Sequence, residues 1–273
     1  MTEASTTVAK KPTNWAHELW QLFLLVLAVL AVHSFIAKPF YIPSGSMLPT
    51  LFIGDRLIVS KFPYGYSYLS PSIEVLPPIQ GRLLGSMPAR GDIAIVKAPR
   101  DHVDWIKRVI GLPGDTVQMK DGALWLNGVP VQRERVADTE IAVSPNSDCL
   151  TIVDAQYRAT SAAGTQVCRY PTWRETLPGG RSYLTLDVGE MPQDNTPPVI
   201  VPEGHVFLMG DNRDNSQDSR FDVSRDGLGM LPIENVVGRA EFITFSLDGS
   251  TDWNPMTWLG AVRTDRYLIG LNN

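Results

Sequence analysis

The stretch TVQMKDGALWLNGVPV, residues Thr116 to Val131, carries the clearest local signal for the fold. Asp121-Gly122 and Asn127-Gly128 are dipeptides typical of tight β-hairpin turns, and they lie six residues apart. Two such turns in one short segment predict successive hairpins. The segment therefore favours a β-rich fold.

Strand-like apolar runs flank the hairpin segment on both sides, and outside the apolar run near the N-terminus we find neither a sustained helical period nor an internal repeat. The segment from Phe62 to Arg90 is aromatic, proline-rich and loop-like, and a short closing helix is predicted from Trp258 to Leu268. The fold class is accordingly predicted to be mainly β. The predicted strands contain Leu57 to Val59, Asp92 to Pro99, Val103 to Leu112, His205 to Asn212 and Val236 to Leu247.

Composition limits the function classes. The chain has 273 residues, with 24 Lys plus Arg against 29 Asp plus Glu, a net charge of −5. Such a balance argues against nucleic acid as a partner. The chain also contains 22 Gly and 21 Pro, which favours a turn-rich β protein over a helical bundle.

An apolar run from Leu19 to Ala37 predicts a transmembrane anchor. Only Gln21, His33 and Ser34 within it are polar, and as a helix it would span about 28 Å. The end of the run lacks the small-residue pair that a cleaved signal peptide needs, which favours an uncleaved anchor. The charge bias across the run is weak, and it favours a cytoplasmic N-terminus with the remaining chain exported.

The predicted organisation follows from these segments. Between residues 137 and 201 the pattern loosens, and this region holds both cysteines, Cys149 and Cys168. In an oxidising compartment the two could form a disulfide, and the alternative is a pair of free thiols. The predicted parts are a tail (1–14), a single anchor (15–37), a main β domain (38–115 and 203–273) and an inserted β subdomain (116–202).

Two segments present candidate reactive groups. Ser46 lies in PSGSMLPT, where flanking prolines fix a non-helical loop that would stay close to the membrane surface. Lys107 lies inside the apolar strand WIKRVIGL, on the same face as Trp105. A lysine there either extends its amine to water or is buried, and burial would lower its pKa enough for it to act as a base.

A third segment, GDNRDNSQDSR from Gly210 to Arg220, is polar between two apolar flanks. It is either an exposed loop or a buried network of hydrogen bonds and ion pairs. Asp218 and Arg220 could form a charged pair, and Ser216 could orient a neighbouring amine. No spacing of cysteines and histidines suggests zinc.

Together these segments resemble the ordered sequence boxes of the bacterial type I signal peptidases, also called leader peptidases. The matching boxes are IPSGSMLPTL, RGDIAIVKAP, WIKRVIGLPGD and MGDNRDNSQDSR, in that order after an anchor. The resemblance covers roughly residues 40–115 and 206–229, whereas residues 121–202 match only in general character. Some members of the family have two N-terminal spans, and this sequence predicts one.

The resemblance implies a serine endopeptidase with a Ser/Lys dyad. It assigns Ser46 as the nucleophile, Lys107 as the general base, and the Ser44 hydroxyl with the Ser46 backbone N–H as the oxyanion hole. Ser216 would hydrogen-bond the lysine, and Asp218 with Arg220, near Asp211, would support the site. The implied walls of the substrate pockets, which favour small side chains as in Ala-X-Ala, are Phe40, Ile42, Pro43, Met47, Leu51, Leu57, Ile95 and Ile106.

The resemblance also implies partners and a location. The substrates would be preproteins that carry signal peptides, the protein would contact the lipid bilayer, and the secretion machinery is a candidate partner. No cofactor, metal or nucleic acid is expected. The expected location is the bacterial plasma membrane, single-pass, with the catalytic domain on the outer, periplasmic side.

Two other hypotheses compete with this one. One is a different Ser/Lys hydrolase, such as a repressor-type self-cleaving protease or a processing peptidase of a pilus or conjugation system. The other is a non-enzymatic, membrane-anchored β domain that binds envelope partners. For the segment from Phe62 to Arg90, a membrane contact and a place on the pocket rim both remain open.

Overall fold

A computed structural model of the chain describes residues 14–73, 76–149 and 155–272. Helix α1, Trp15–Phe35, begins at Asn14, whose side chain accepts a hydrogen bond from the His17 backbone N–H. At about 1.5 Å per residue its 21 residues extend roughly 30 Å, and its length and composition suit a membrane span. The helix ends two residues before the predicted anchor does, because Ala37 already begins a strand.

The main sheet contains eight strands, and the order along its path is β1-β2-β17-β3-β4-β15-β16, with β18 paired to β17. All of its strand pairs are antiparallel. The mainly β fold class predicted from the sequence is therefore confirmed. The strands are β1 (Ala37–Tyr41), β2 (Asp55–Ser60), β3 (Ile93–Lys97), β4 (Asp104–Gly111), β15 (His205–Met209), β16 (Leu231–Pro232), β17 (Val236–Ser246) and β18 (Ile269–Gly270).

Three smaller sheets are built from the described residues between β4 and β15. The first contains β5 (Thr116–Lys120), β6 (Ala123–Leu126), β7 (Val129–Pro130) and β14 (Val199–Ile200). The second contains β8 (Gln132–Arg135), β12 (Thr172–Thr176) and β13 (Ser182–Leu186). The third contains β9 (Thr139–Ala142), β10 (Arg158–Thr160) and β11 (Gln166–Tyr170). The domain boundaries predicted from the sequence remain a prediction.

The two hairpin turns form where the sequence predicts them. Asp121-Gly122 joins β5 to β6, and Asn127-Gly128 joins β6 to β7. All four residues have positive φ, between 47° and 79°. Turns of this kind match the twist of antiparallel strands, and Asp, Asn and Gly adopt positive φ most readily.

The C-terminal helix lies earlier than predicted, so the predicted range of Trp258 to Leu268 is wrong. Helix α2 is Pro255–Ala261, with the Asn254 side chain accepting from the Met256 backbone N–H. Asparagine at the cap followed by proline at the first helical position is a strong start signal. After the helix, Val262 bridges to Leu247, which returns the chain to the main sheet.

Strand β4 lies between β3 and β15 and contributes to more than one part of the core. Ile106 packs into the cluster that includes Met47 and Leu51, whereas Val109 packs into a second cluster with Trp105 at its edge. Consecutive strand residues point to opposite faces, so both faces of β4 are covered by protein. The polar side chains in the middle of this strand, Lys107 and Arg108, are consequently buried.

Candidate active site

Ser46 lies on the turn-rich loop between β1 and β2. Its backbone carbonyl accepts a 3.1 Å hydrogen bond from the Asn212 N–H, and the Asn212 side-chain amide donates to the Gly45 carbonyl at 3.2 Å. Asn212 thus holds two successive peptide groups of the loop. The Ser46 side chain is buried at one end of a cleft.

Lys107 projects from β4 towards that loop. Its Nζ lies 2.9 Å from Ser46 Oγ, within hydrogen-bond distance, and 5.4 Å from the centre of the Trp105 ring. The lysine is only 4% exposed, and this burial lowers the pKa of its amine to about 8. At pH ~7.5 about a quarter of such amines are neutral, compared with about one in 800 at an ordinary lysine pKa.

The predicted pair of Asp218 and Arg220 forms in the structure. The guanidinium donates two hydrogen bonds of 2.9 Å to the two carboxylate oxygens, and both side chains are buried. Burial alone would raise the pKa of Asp218, but the positive charge of Arg220 holds it below its ordinary value. The carboxylate also accepts from the Gly210 N–H at 3.0 Å.

Asp211 has a partner that the sequence analysis missed. Arg108 donates to its two carboxylate oxygens at 2.7 and 2.6 Å, and Thr50 Oγ1 donates at 2.5 Å. Asp211 therefore ties the loop that follows β15 to β4 and to the serine loop. Arg108 directly follows Lys107, so this bidentate pair fixes the strand beside the lysine.

A second missed group comes from the small sheets. Arg213 donates to the Glu175 carboxylate at 2.6 Å, and the Tyr183 hydroxyl donates to the same oxygen at 2.8 Å. The three side chains are buried. The Arg213 carbonyl accepts a 2.6 Å hydrogen bond from Arg220, so β12 and β13 are joined to the ion pair beside Lys107. No local motif in the sequence signals this contact.

Ser216 and Ser44 both line the cleft. The Ser216 hydroxyl is buried and makes no hydrogen bond within the part of the chain that the structure describes. The predicted bond from Ser216 to Lys107 is therefore absent from this structure. Ser44 is exposed beside Ser46.

The cleft has a volume of about 510 Å³. Of the residues predicted to form its walls, Pro43 and Ile106 line it. The other predicted wall residues belong to one apolar core cluster or pack against it. The members are Ile42, Met47, Leu51, Leu57 and Ile95, and the half-buried Phe40 packs against them. Lining residues that the sequence analysis did not assign to the cleft are Val103, Asp104, Trp105, Gln193, Asp214, Asn215, Gln217 and Phe221.

Among the described residues, one cluster of three aspartates has the spacing to hold a cation. Asp187, Asp194 and Asp214 each place a carboxylate oxygen within 4.8 Å of the others. Asp214 accepts backbone N–H groups from Val188 and Gly189, which gives it a structural role between loops. Burial raises the pKa of both Asp194 and Asp214.

Cys149 and Cys168 are joined by a disulfide, with their Cα atoms 5.9 Å apart. Both are buried in a small apolar cluster with Ile141, Tyr170 and Leu186. Leu48 of the serine loop packs in the same cluster. The disulfide therefore lies in an apolar cluster that the smaller sheets share with the loop carrying Ser46.

A serine hydroxyl within hydrogen-bond distance of a buried amine, beside an open cleft, can support nucleophilic catalysis, and the apolar N-terminal helix suits a membrane anchor. The family described as signal peptidase, peptidase S26, matches residues 14–245. Signal peptidase I of Rickettsia akari (strain Hartford) is 34% identical over 275 residues, which cover 94% of this chain and 93% of the relative.

Signal peptidase I of Rickettsia typhi (strain ATCC VR-144 / Wilmington) is 36% identical over 271 residues, covering 92% of this chain and 91% of that one. A crystal structure of a signal peptidase I from Enterococcus faecalis V583 covers 56% of this chain and 97% of its own, with 27% identity and a TM-score of 0.29. The chain belongs to the signal peptidase family, peptidase S26. It is a serine endopeptidase that removes signal peptides, and the family predicted from the sequence boxes is confirmed.

Proposed function

We propose that this chain cleaves preproteins after Ala-X-Ala-like sites with Ser46 as the nucleophile and Lys107 as the general base. The observation that carries the proposal is the 2.9 Å contact between Lys107 Nζ and Ser46 Oγ, made by an amine whose pKa burial lowers to about 8. A hydroxyl is a weak nucleophile until a positioned base accepts its proton.

The reaction begins when the neutral Lys107 amine takes the Ser46 proton as the hydroxyl oxygen attacks the scissile carbonyl carbon. The negative charge that develops on the carbonyl oxygen is stabilised by the Ser46 backbone N–H and the Ser44 hydroxyl. As the carbon–nitrogen bond breaks, the Lys107 ammonium protonates the leaving amine. The resulting acyl-enzyme is hydrolysed by a water that Lys107 deprotonates in turn.

The buried hydroxyl of Ser216 is suited to bind Lys107 after the lysine has taken the Ser46 proton. A neutral amine needs few acceptors, but the ammonium formed by proton transfer has three donors to satisfy. Ser216 lines the same cleft and has an oxygen without another partner among the described residues. We assign Ser216 to accept a hydrogen bond from the charged form of Lys107.

Small side chains before the cleavage point would lie against the cleft wall that Pro43 and Ile106 form. The remaining predicted wall residues pack in or against the apolar cluster that contains Ile106, so they would limit the depth of the pockets from the core side. A shallow pocket over a close-packed core excludes large side chains because the core has no room to yield.

The proposed setting is the bacterial plasma membrane, with α1 as a single span, the N-terminus in the cytoplasm and the catalytic domain on the outer side. The bilayer then brings the enzyme and a preprotein, held by its own apolar segment, into one plane. Confinement of this kind raises the effective concentration of the substrate. A contact with the secretion machinery belongs to the same proposal.

The test is cleavage of a preprotein with Ala-X-Ala before its mature start, by reconstituted wild type, Ser46→Ala and Lys107→Ala. Each variant is first checked for folding by circular dichroism. Cleavage at that junction by the wild type alone, unaffected by chelators, is expected. Wild-type activity in both variants would contradict the dyad, and failure of the wild type on several such substrates would favour a specialised peptidase.

A further inference from the structure

The loop between Phe62 and Arg90 contacts the end of α1. The Tyr66 hydroxyl donates to the Phe35 carbonyl at 2.7 Å, and the two rings meet edge to face with their centres 5.5 Å apart. The Ser72 backbone N–H donates to Ser34 Oγ at 3.0 Å. Because the last carbonyls of a helix lack partners within it, these contacts replace water at the point where the chain leaves the span.

A second contact makes the loop rigid near its tip. Tyr66 and Leu83 exchange two backbone hydrogen bonds, of 2.9 and 2.8 Å. The Arg82 guanidinium donates to the carbonyls of Tyr64, Gly65 and Ile233 at 2.7 to 2.8 Å. The Arg82 guanidinium is therefore bound to backbone carbonyls of the protein. These hydrogen bonds fix the backbone position from which the next two residues extend.

Those residues, Leu83 and Leu84, are 70% and 80% exposed. Leu84 also has a φ of 53°, in the left-handed region that glycine and asparagine adopt more readily than leucine. In water, then, neither the backbone conformation nor the solvation of the side chain favours leucine at this position. An apolar environment outside the protein would account for the residue.

The surroundings identify that environment. A cavity of about 530 Å³ lies between the loop and the end of α1, and both Phe35 and Leu83 line it. The apolar surface of the span therefore continues onto the loop. Of the 29 residues from Phe62 to Arg90 only three are charged, Glu74, Arg82 and Arg90. Other exposed apolar side chains of the loop are Phe62, Ile73, Leu76, Ile79 and Met87.

We propose that Leu83 and Leu84 insert into the bilayer leaflet next to the catalytic domain and contact its acyl chains. The proposal rests on α1 crossing the membrane, as in the proposed function, and adds a second membrane contact. With α1 and the leucine pair both in lipid and joined through Tyr66, the catalytic domain cannot rotate freely about the span. The contact would hold the cleft at one height above the bilayer.

Lipid contact is measured with the full chain in phosphatidylcholine vesicles. An environment-sensitive fluorophore is attached to Leu84→Cys, and to Ile200→Cys as a control, since Ile200 is 68% exposed on β14. Labelling is done without reductant, so that the Cys149–Cys168 disulfide does not react. Quenching by spin-labelled phosphatidylcholine is expected to be at least threefold stronger at position 84. Equal quenching at the two positions would overturn the proposal.

Leu84→Asn provides a second measurement with opposite expected signs. Asparagine suits the left-handed backbone, so the melting temperature in detergent should stay equal or rise. Cleavage of a membrane-held preprotein in vesicles should fall about three- to tenfold, while cleavage of a short soluble peptide stays unchanged. Equal losses on both substrates would place the leucine on the pocket rim, and no loss on either would also overturn the proposal.

The quenching experiment does not depend on activity. If the wild type cleaves nothing, the proposed function fails while the lipid contact at position 84 is still measured. If instead position 84 is unquenched and the wild type cleaves preproteins, only the membrane contact is wrong. The two proposals can therefore fail separately.

Discussion

Two lysines of this protein are equally buried and differ in what their amines contact. Lys107 and Lys61 are each 4% exposed, and burial lowers the pKa of each to about 8. The Lys107 amine faces the Ser46 hydroxyl at the wall of the cleft, whereas the Lys61 amine donates to the Ser70 carbonyl at 3.2 Å. A lowered pKa prepares an amine to act as a base, but only a neighbouring nucleophile gives it a reaction to assist.

The largest expected effect separates the two lysines by activity. Lys107→Met should reduce kcat/KM at least a thousandfold, because the general base is lost. Lys61→Met, the matched control, should reduce it less than tenfold, since it removes a bond within a loop. Initial rates of preprotein cleavage in detergent check both. Comparable losses in the two variants would show that the contact with Ser46 does not set Lys107 apart from Lys61.

The second prediction concerns stability and its dependence on pH. The folded pKa of Lys107 lies below its ordinary value of 10.5, so below pH 8 the amine is charged in both states and its burial is a full cost. As the pH rises from about 8 to 10.5 the folded protein releases its proton first, and the free energy of unfolding increases. Over this pH interval the free energy of unfolding increases by about 3 kcal/mol.

Lys107→Met removes this buried charge. It should therefore raise the free energy of unfolding at pH 7 by up to about 3 kcal/mol, with the gain disappearing near pH 10.5. Lys61→Met should gain less, because the Ser70 carbonyl loses its donor. Urea unfolding of both variants between pH 6 and 10 provides the measurement. A gain for Lys107→Met that is constant with pH would show that folding does not lower the pKa of this amine.

The pH dependence of activity sharpens the same comparison. Because only the neutral amine accepts the Ser46 proton, kcat/KM should rise about tenfold per pH unit below pH 8 and level off above it. Lys61→Met should leave that midpoint in place. The check is a kcat/KM profile from pH 6 to 9.5 for both proteins. A midpoint that moves in Lys61→Met would show that Lys61, and not Lys107, is the group that titrates in the profile.

The smallest expected effect is that of Ser216→Ala. Its hydroxyl is proposed to hold only the charged form of Lys107, so kcat should fall about tenfold with little change in KM, and the apparent pKa of the rate should drop. Ser219→Ala is a suitable control, because the Ser219 hydroxyl accepts a backbone N–H from Leu208 instead. An unchanged pH profile in Ser216→Ala would remove this residue from the proposed mechanism.

Local signals account for what could be predicted. The turns at Asp121-Gly122 and Asn127-Gly128 follow from the positive φ that these residue types adopt, and they form as expected. The C-terminal helix begins before the predicted Trp258 because Asn254 caps it and Pro255 takes its first position, a local start signal that the sequence contains.

The candidate site shows where local reasoning stops. Ser46 and Lys107 stand out because each residue is unusual for its own segment. Arg108 as the partner of Asp211, and Glu175 as the partner of Arg213, lie 103 and 38 residues away in sequence. Many arginines in the chain could have paired with these carboxylates, and only the register of the packed strands selects between them.

The sequence by itself determined the mainly β class, the apolar N-terminal helix and the family, since turn propensity, hydrophobic length and ordered motifs are properties of short segments. The tertiary structure alone decided that Lys107 is buried against Ser46, that the small sheets extend charged side chains to the site, and that most predicted pocket residues pack in or against the apolar core instead of lining the cleft. Burial and long-range ion pairs depend on how distant segments pack, and no short segment contains that information.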